Sequence, residues 1–162
     1  MLIDDILTEL QDLPGTELQA ILNLIRAKKD TYHRPLAFVQ ELMGFEFLNE
    51  TENAFSYRMK VTDDLVNRYG LLHGGLTTAF LDTAMAETAF KIDNTIDRAL
   101  TLNITVNFIR PGLPDDELVT HVNVIQNSRV MIVFQADVKN GEGDTLATAM
   151  AHFYKQHKRK KS

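Results

Sequence analysis

The clearest strand pattern in the chain lies between residues 101 and 108. Four apolar side chains alternate there with four polar ones: Leu102, Ile104, Val106 and Phe108 against Thr101, Asn103, Thr105 and Asn107. Alternation with period two is typical of a strand with one buried face. The same pattern, or a short apolar run between turn residues, predicts further strands at 44–50, 54–61, 118–125, 130–138 and 145–154. Because the last three strands follow one another across short turns, we expect them to be antiparallel neighbours.

The strongest helix prediction covers residues 74–91. This segment starts with Gly74 and Gly75 and carries alanines on several faces, which indicates a helix enclosed by other structure. Shorter helices are predicted at 2–11, 16–29 and 36–43. The order of elements predicts an α+β fold, in which a curved antiparallel sheet of about six strands wraps around one long central helix.

We divide the chain into three regions. Residues 1–34 are predicted to form an N-terminal helical extension, residues 35–156 the main domain, and residues 157–162 a basic tail. The tail segment from 155 onwards holds five of the 17 basic residues, which leaves 12 basic against 22 acidic residues in the rest of the chain. An acidic body argues against nucleic acid as a partner, and we interpret the tail as a solvated terminus.

Composition narrows the class of protein. A length of 162 residues suits one domain with its own core, and 44% hydrophobic residues are ordinary for a globular protein. No apolar run is long enough to span a membrane, and the acidic residues near the N-terminus do not resemble a signal peptide. The absence of cysteine excludes disulfides, thiolate metal sites and cysteine nucleophiles. We therefore predict a cytoplasmic protein.

Candidate chemistry concentrates in the segment from Asn67 to Asp82. Gly74 and Gly75 stand where the long helix begins, and a helix start offers free backbone N–H groups and a partial positive charge. Glycine lets a ligand approach those groups closely, as an oxyanion or phosphate site requires. Asp82 stands eight residues later in an otherwise apolar helix, where an aspartate is costly unless it is paired or functional.

Helix geometry separates Gly74 from Asp82. Eight residues correspond to roughly 12 Å along a helix axis, too far for one carbonyl group to contact both in one chain. Two such helices running antiparallel across a two-fold axis would bring each Gly74 opposite the other chain's Asp82. The spacing therefore predicts a homodimer with two shared sites.

The motif resembles that of a known family. A His-Gly-Gly triplet followed by six residues and an aspartate, with an asparagine six positions before the histidine, is similar to the hotdog-fold acyl-CoA thioesterases, in particular their phenylacetate-pathway branch. The resemblance runs from about Gly44 to Tyr154 and includes the strand order. It implies a hotdog fold and subunits that share their active sites, as dimers or as tetramers built from them.

The resemblance also implies roles for individual residues. Asp82 corresponds to the catalytic carboxylate, as general base or nucleophile, and the Gly74 amide to the oxyanion donor. Asn67 corresponds to a residue that holds or activates substrate or water, and His73 to the motif histidine near the thioester carbonyl. Thr101 stands where one branch has a serine that orients the water. The alternatives stay open: Asn67 suits a turn, His73 a helix cap, and Thr101 an ordinary strand position.

Further predicted contacts concern the substrate. Gly75 adjoins the helix start, and Arg129 and Arg110 are candidates for the phosphates of coenzyme A, although solvated surface arginines are the simpler interpretation. Glu87 is a second carboxylate that we assign to a structural or rim position. The five histidines show no close ligand spacing, so no metal is predicted and coenzyme A enters only as part of the substrate.

The predicted function is hydrolysis of an acyl-CoA thioester to a free acid and coenzyme A. The first alternative is a non-catalytic acyl-CoA sensor on the same fold, because function resides in the site and not in the fold. A second alternative is dehydration of a hydroxyacyl thioester, which usually needs a differently placed histidine. The residues do not indicate which acyl group is bound.

Overall fold

A computed structural model describes residues 2–33, 37–51 and 54–158 of the chain. The chain forms two compact units, residues 1–42 and residues 43–162. The first unit contains three helices, α1 (Leu2–Glu9), α2 (Gly15–Asp30) and α3 (Phe38–Leu42), and α2 contacts α3. Pro14 precedes the first residue of α2, a position where its fixed φ is compatible with the start of a helix. The predicted N-terminal helices are therefore present.

Two predicted boundaries fall partly on residues outside the described ranges. The division between an extension and a main domain at residues 34 and 35 lies in the segment 34–36, and residues 159–162 of the predicted basic tail are also outside. The turn predicted between the first two strands includes residues 52 and 53, which are likewise outside. The three-part division of the chain stays a prediction.

The second unit holds one long helix and six strands. In chain order they are β1 (Glu46–Glu50), β2 (Phe55–Lys60), a short 3-10 helix (Asp63–Leu65), α4 (Gly74–Ile92), β3 (Ile96–Phe108), β4 (Glu117–Asn127), β5 (Met131–Lys139) and β6 (Thr145–His157). All strand pairs are antiparallel, in the order β1-β2-β4-β5-β6-β3. The predicted α+β class is confirmed, and β3 begins five residues before the alternating pattern that revealed it.

The core lies between one face of the sheet and helix α4. A stripe at helical spacing is buried on α4: Thr77, Phe80, Leu81, Ala84, Met85, Thr88 and Ala89. It contacts strands β2 to β6, and its apolar side chains pack with fully buried aromatic residues of the sheet. The Tyr57 hydroxyl and the Thr88 hydroxyl are hydrogen-bonded at 2.9 Å inside this core. The other faces of α4 are half-buried or exposed, so the sheet encloses this helix on one side.

None of the helices in the described ranges is long and apolar enough to cross a membrane.

Candidate active site

The loop before α4 is organised by Asn67. Its Oδ1 accepts hydrogen bonds from the backbone N–H groups of Tyr69 (2.8 Å) and Leu71 (3.4 Å), an Asx turn. Gly70 has φ +72° in this turn, a conformation that favours glycine. Because the turn uses the side-chain oxygen of Asn67, the amide Nδ2 is the part of this side chain that is left to meet a ligand.

His73 forms the N-cap of α4. Its Nδ1 accepts a hydrogen bond from the Gly75 N–H at 3.0 Å, and its carbonyl oxygen accepts from Leu76 and Thr77. The geometry fits the helix-cap interpretation of His73. The His73 Nδ1 atom also occupies the Gly75 N–H. The predicted substrate contact at Gly75 therefore has no free backbone amide.

The Gly74 N–H, unlike the Gly75 N–H, does not donate to the His73 side chain. Within the described ranges it has no hydrogen-bond acceptor. As the first N–H of a long helix, it carries part of the positive end of the helix dipole. A Cβ atom built on Gly74 would lie 3.4 Å from the ring of Phe108, an ordinary van der Waals contact.

A cavity of about 290 Å³ opens beside this amide. Its polar lining comes from Asn67, Gly74, Thr77 and Arg110, and the rest is mostly apolar: Leu71, Leu72, Phe108, Ile109, Pro111, Gly112 and Leu146. Three of the residues predicted from the sequence, Asn67, Gly74 and Arg110, therefore surround one space. Asn67 and Gly74 both line a pocket with mostly apolar walls, where a hydrogen bond from an amide N–H to an oxygen atom is stronger than in water.

Asp82 and Thr101 form a second cluster. The Thr101 hydroxyl donates a hydrogen bond to Asp82 Oδ1 at 2.7 Å, and Asp82 is half-buried on a side of α4 outside the buried stripe. Thr101 thus contacts the predicted catalytic carboxylate directly. The hydrogen bond holds the carboxylate in one orientation and leaves Oδ2 open to another donor.

A β-bulge makes the Thr101 contact possible. The pairing of β3 with β6 shifts by one residue between Thr101 and Asn103. Thr101 pairs with the buried Phe153, and beyond the bulge Ile104 pairs with the buried Ala151. Both therefore point towards α4, whereas strict alternation would place them on opposite faces. The bulge therefore separates the direction of the Thr101 side chain from the simple alternation of its strand.

Arg129 and Glu87 lie outside these two clusters, whereas Arg110 lines the cavity and has a partner outside its lining. Arg129 is exposed in the turn between β4 and β5, where its carbonyl oxygen is 2.6 Å from His157 Nε2. Arg110 is paired with Asp144, a partner that sequence reasoning missed because the two residues are far apart in the chain. Glu87 is half-buried on α4, and its charge contributes to a raised pKa of Tyr57 that is due mainly to burial.

Among the residues that the structure describes, no cluster of three or more histidine or acidic side chains could hold a metal ion.

An ion pair fixes the far end of α4. Lys155 is buried, and its Nζ donates to Asp93 Oδ2 at 3.0 Å and to Asn127 Oδ1 at 2.8 Å. Hydrogen bonds from Thr95 and Lys155 lower the pKa of Asp93 to about 2. This cluster joins the end of α4 to β6 and to the end of β4, away from the helix start.

Comparisons with known proteins give a consistent result. The family model described as "Thioesterase superfamily" matches residues 69–147. The acyl-coenzyme A thioesterase PaaI of Escherichia coli (strain K12) is 25% identical over 105 residues, which are 65% of this chain and 73% of that protein.

Solved structures share the fold. The structure of the BH2602 protein from Bacillus halodurans with CoA superposes with a TM-score of 0.82 at 20% identity, over 93% of this chain and 99% of that one. The Escherichia coli PaaI structure superposes with a TM-score of 0.68 at 20% identity, over 82% of this chain and 93% of that one. The predicted hotdog fold is confirmed.

Proposed function

We propose that this chain, whose residues 69–147 match the thioesterase superfamily model, is an enzyme that hydrolyses the thioester bond of an acyl-CoA to a free acid and coenzyme A. The observation that carries the proposal is the free Gly74 N–H beside the Asn67 amide in one mostly apolar cavity. Two such donors suit the oxygen of a thioester carbonyl, which becomes an oxyanion when a nucleophile attacks. The relatives named above, a thioesterase and a protein crystallised with CoA, support the same substrate class.

The proposed chemistry follows from the two clusters. Gly74 and Asn67 polarise the carbonyl, and Asp82 accepts a proton from a water molecule that forms the new C–O bond. The tetrahedral intermediate then collapses, the C–S bond breaks, and the thiolate of coenzyme A takes up a proton. One oxyanion donor contributes about 3 kcal/mol to transition-state stabilisation, and general base catalysis about 10²–10⁴-fold in rate.

Asp82 has two possible roles in this scheme, general base or nucleophile. A single turnover in water labelled with heavy oxygen distinguishes them. A general base delivers a labelled oxygen to the acid in the first turnover, whereas a nucleophile delivers an unlabelled oxygen of its own carboxylate and becomes labelled itself.

A thiol-release assay tests the function. Wild-type protein is offered short, medium, long and aromatic acyl-CoAs, beside Asp82→Asn and a matched control, Asp97→Asn, at an exposed position of β3. We expect turnover by the wild type and the control and a loss of at least 10²-fold for Asp82→Asn. Tight binding without turnover by the wild type would favour the acyl-CoA sensor.

We also propose that the active site forms between two copies of the chain. Asp82 and Gly74 lie on the same helix eight residues apart, about 12 Å along the axis, and the Thr101 contact places Asp82 in a cluster of its own. β3 has 13 residues and stands at the edge of the sheet, with Leu102 63% and Phe108 59% exposed. An unpaired edge strand of this length is suited to pair with another chain.

Mixing two inactive variants tests the shared site. If each site combines Asn67 of one chain with Asp82 of the other, a dimer of one Asn67→Ala and one Asp82→Ala chain has one intact site. After random exchange of subunits, the mixture should recover about a quarter of wild-type activity. If both residues act within one chain, every site carries one defect and no activity returns.

A further inference from the structure

Arg110 lies between two cavities of different chemistry. One is the 290 Å³ cavity beside Gly74, and the other has a volume of about 480 Å³. Arg110, Pro111 and Leu146 line both. The backbone N–H of Arg110 donates to the carbonyl oxygen of Leu146 at 3.1 Å, which fixes the residue at the end of β3, and its guanidinium is paired with Asp144. Arg110 therefore stands where the two cavities meet, with its side chain 56% exposed.

The second cavity is acidic. Five carboxylates line it: Asp115, Asp116, Glu117, Glu142 and Asp144. Arg110 pairs with Asp144, and two cations outside the lining pair with two others, Lys60 with Asp115 and Arg58 with Glu117, so acidic groups remain in excess. The first cavity holds no carboxylate, and its walls beyond Gly74 are mostly aliphatic or aromatic. An apolar group thus gains from entering the first cavity, while an anionic group is repelled from the second.

We propose that the acyl group of the substrate occupies the cavity beside Gly74 and that the Arg110–Asp144 pair forms its end wall, which selects compact neutral acyl groups. This inference rests on the proposed function. It assigns Arg110 to acyl selection and directs the phosphates of coenzyme A away from this side of the molecule, because the carboxylates behind Arg110 repel them.

The dimensions support the choice of substrate class. Pockets that enclose drug-sized ligands have volumes of about 300–1,000 Å³, so 290 Å³ places this cavity at the lower end. Each methylene that enters an apolar cavity improves binding about fourfold. The gain in binding ends where the acyl chain reaches the Arg110 guanidinium and the carboxylates of the second cavity, because those groups would lose water without gaining a partner.

The pairing of Arg110 with Asp144 adds discrimination by charge. A free arginine at the end of the cavity would attract an acyl group that ends in a carboxylate. Asp144 already occupies the guanidinium, and the neighbouring carboxylates oppose a second negative charge. Acyl groups with a terminal carboxylate are therefore disfavoured against neutral groups of equal length.

A chain-length series tests the wall. kcat/KM is measured for straight-chain acyl-CoAs of increasing length with wild type, Arg110→Leu and the matched control Arg98→Leu, an exposed arginine of β3 that is paired with Asp97 and lines neither cavity. Wild type and control should reach a plateau at the same length, and Arg110→Leu should continue to rise about fourfold per methylene for the next few carbons. The same plateau in all three proteins would overturn the assignment of Arg110.

The charge selection has its own test. Asp144→Asn frees the guanidinium, so the ratio of kcat/KM for a carboxylate-terminated acyl-CoA to that for its neutral counterpart should rise about tenfold. Adding Arg110→Leu should cancel that rise. An unchanged ratio in Asp144→Asn, or a rise that persists without Arg110, contradicts the proposal. Failure of the proposed function looks different, because the wild type would then hydrolyse no acyl-CoA.

Discussion

Thr101→Val removes one hydroxyl group from the candidate site. That hydroxyl donates to Asp82 Oδ1 at 2.7 Å, and valine has nearly the same shape as threonine and suits a strand. A hydrogen bond to a charged group contributes about 1.5–3 kcal/mol, which corresponds to roughly 10- to 100-fold in rate if it acts in the transition state. Because Thr101 is exposed, water replaces part of the lost interaction, and we expect a reduction in kcat/KM of about tenfold.

The kcat/KM measurement needs controls that distinguish a misoriented Asp82 carboxylate from a protein that has lost its fold. Thr101→Ser keeps the hydroxyl and should retain most of the activity. Thr105→Val removes a hydroxyl from the same strand at a position that pairs with the exposed Met150, on the face away from α4, and should leave kcat/KM unchanged. Urea denaturation should show that all three variants unfold within about 1 kcal/mol of wild type.

One result would refute the reasoning. If Thr101→Val retains the wild-type kcat/KM while Asp82→Asn is inactive, the hydroxyl does not position the carboxylate in the reaction. Thr101 would then be an ordinary strand threonine that happens to contact Asp82.

Three further predictions concern stability. His73→Ala removes the N-cap acceptor of α4 and should lower the free energy of unfolding by about 1 kcal/mol in urea denaturation, whereas an unchanged midpoint would contradict the cap. Asp93→Ala leaves the buried Lys155 without its carboxylate and should cost about 3 kcal/mol, more than Lys155→Met, which leaves no buried charge; the reverse order would contradict the ion-pair argument. The pKa of Asp93 is lowered to about 2 from an ordinary value near 4. The contribution of its carboxylate to stability is therefore complete above pH 4 and is lost as the pH falls through 2. Below that pH, the free energies of unfolding of wild type and Asp93→Ala should converge in an acid titration. Tyr57→Phe removes the hydrogen bond to a core threonine and should cost about 1 kcal/mol, and a neutral effect would show that the bond contributes nothing.

Local patterns were sufficient to predict most of the elements. The alternation at residues 101–108, the small-residue helix beginning at Gly74 and the turn residues between strands depend on neighbours in sequence, and the observed elements follow them. The start of β3 was missed, because Asp97 and Arg98 interrupt the apolar alternation, although Ile96 and Arg98 still pair with β6 on either side of a register shift at Asp97. Backbone pairing requires no particular side chain, so polar extensions of a strand give no local signal.

Two features of the candidate site depend on contacts that sequence spacing does not show. The bulge after Thr101 is a register shift against β6, and no residue type in the segment requires it. The pairing of Arg110 with Asp144 joins the end of β3 to the turn before β6, at a separation that no motif covers. Both features follow from the packing of the whole sheet, which is why local spacing does not predict them.

The Asx turn limits which atoms of the Asn67 side chain can contact substrate or water. Its side-chain oxygen is occupied by the N–H groups of Tyr69 and Leu71, so it cannot accept a proton or a hydrogen bond from the attacking water. The amide N–H groups remain available, and Asn67 lines the same cavity as Gly74. In the proposed mechanism both residues are donors, and another residue supplies the acceptor for the water. Asp82 is such an acceptor, about 12 Å further along the same helix, which is the reason that a second copy of the chain is expected to complete each site.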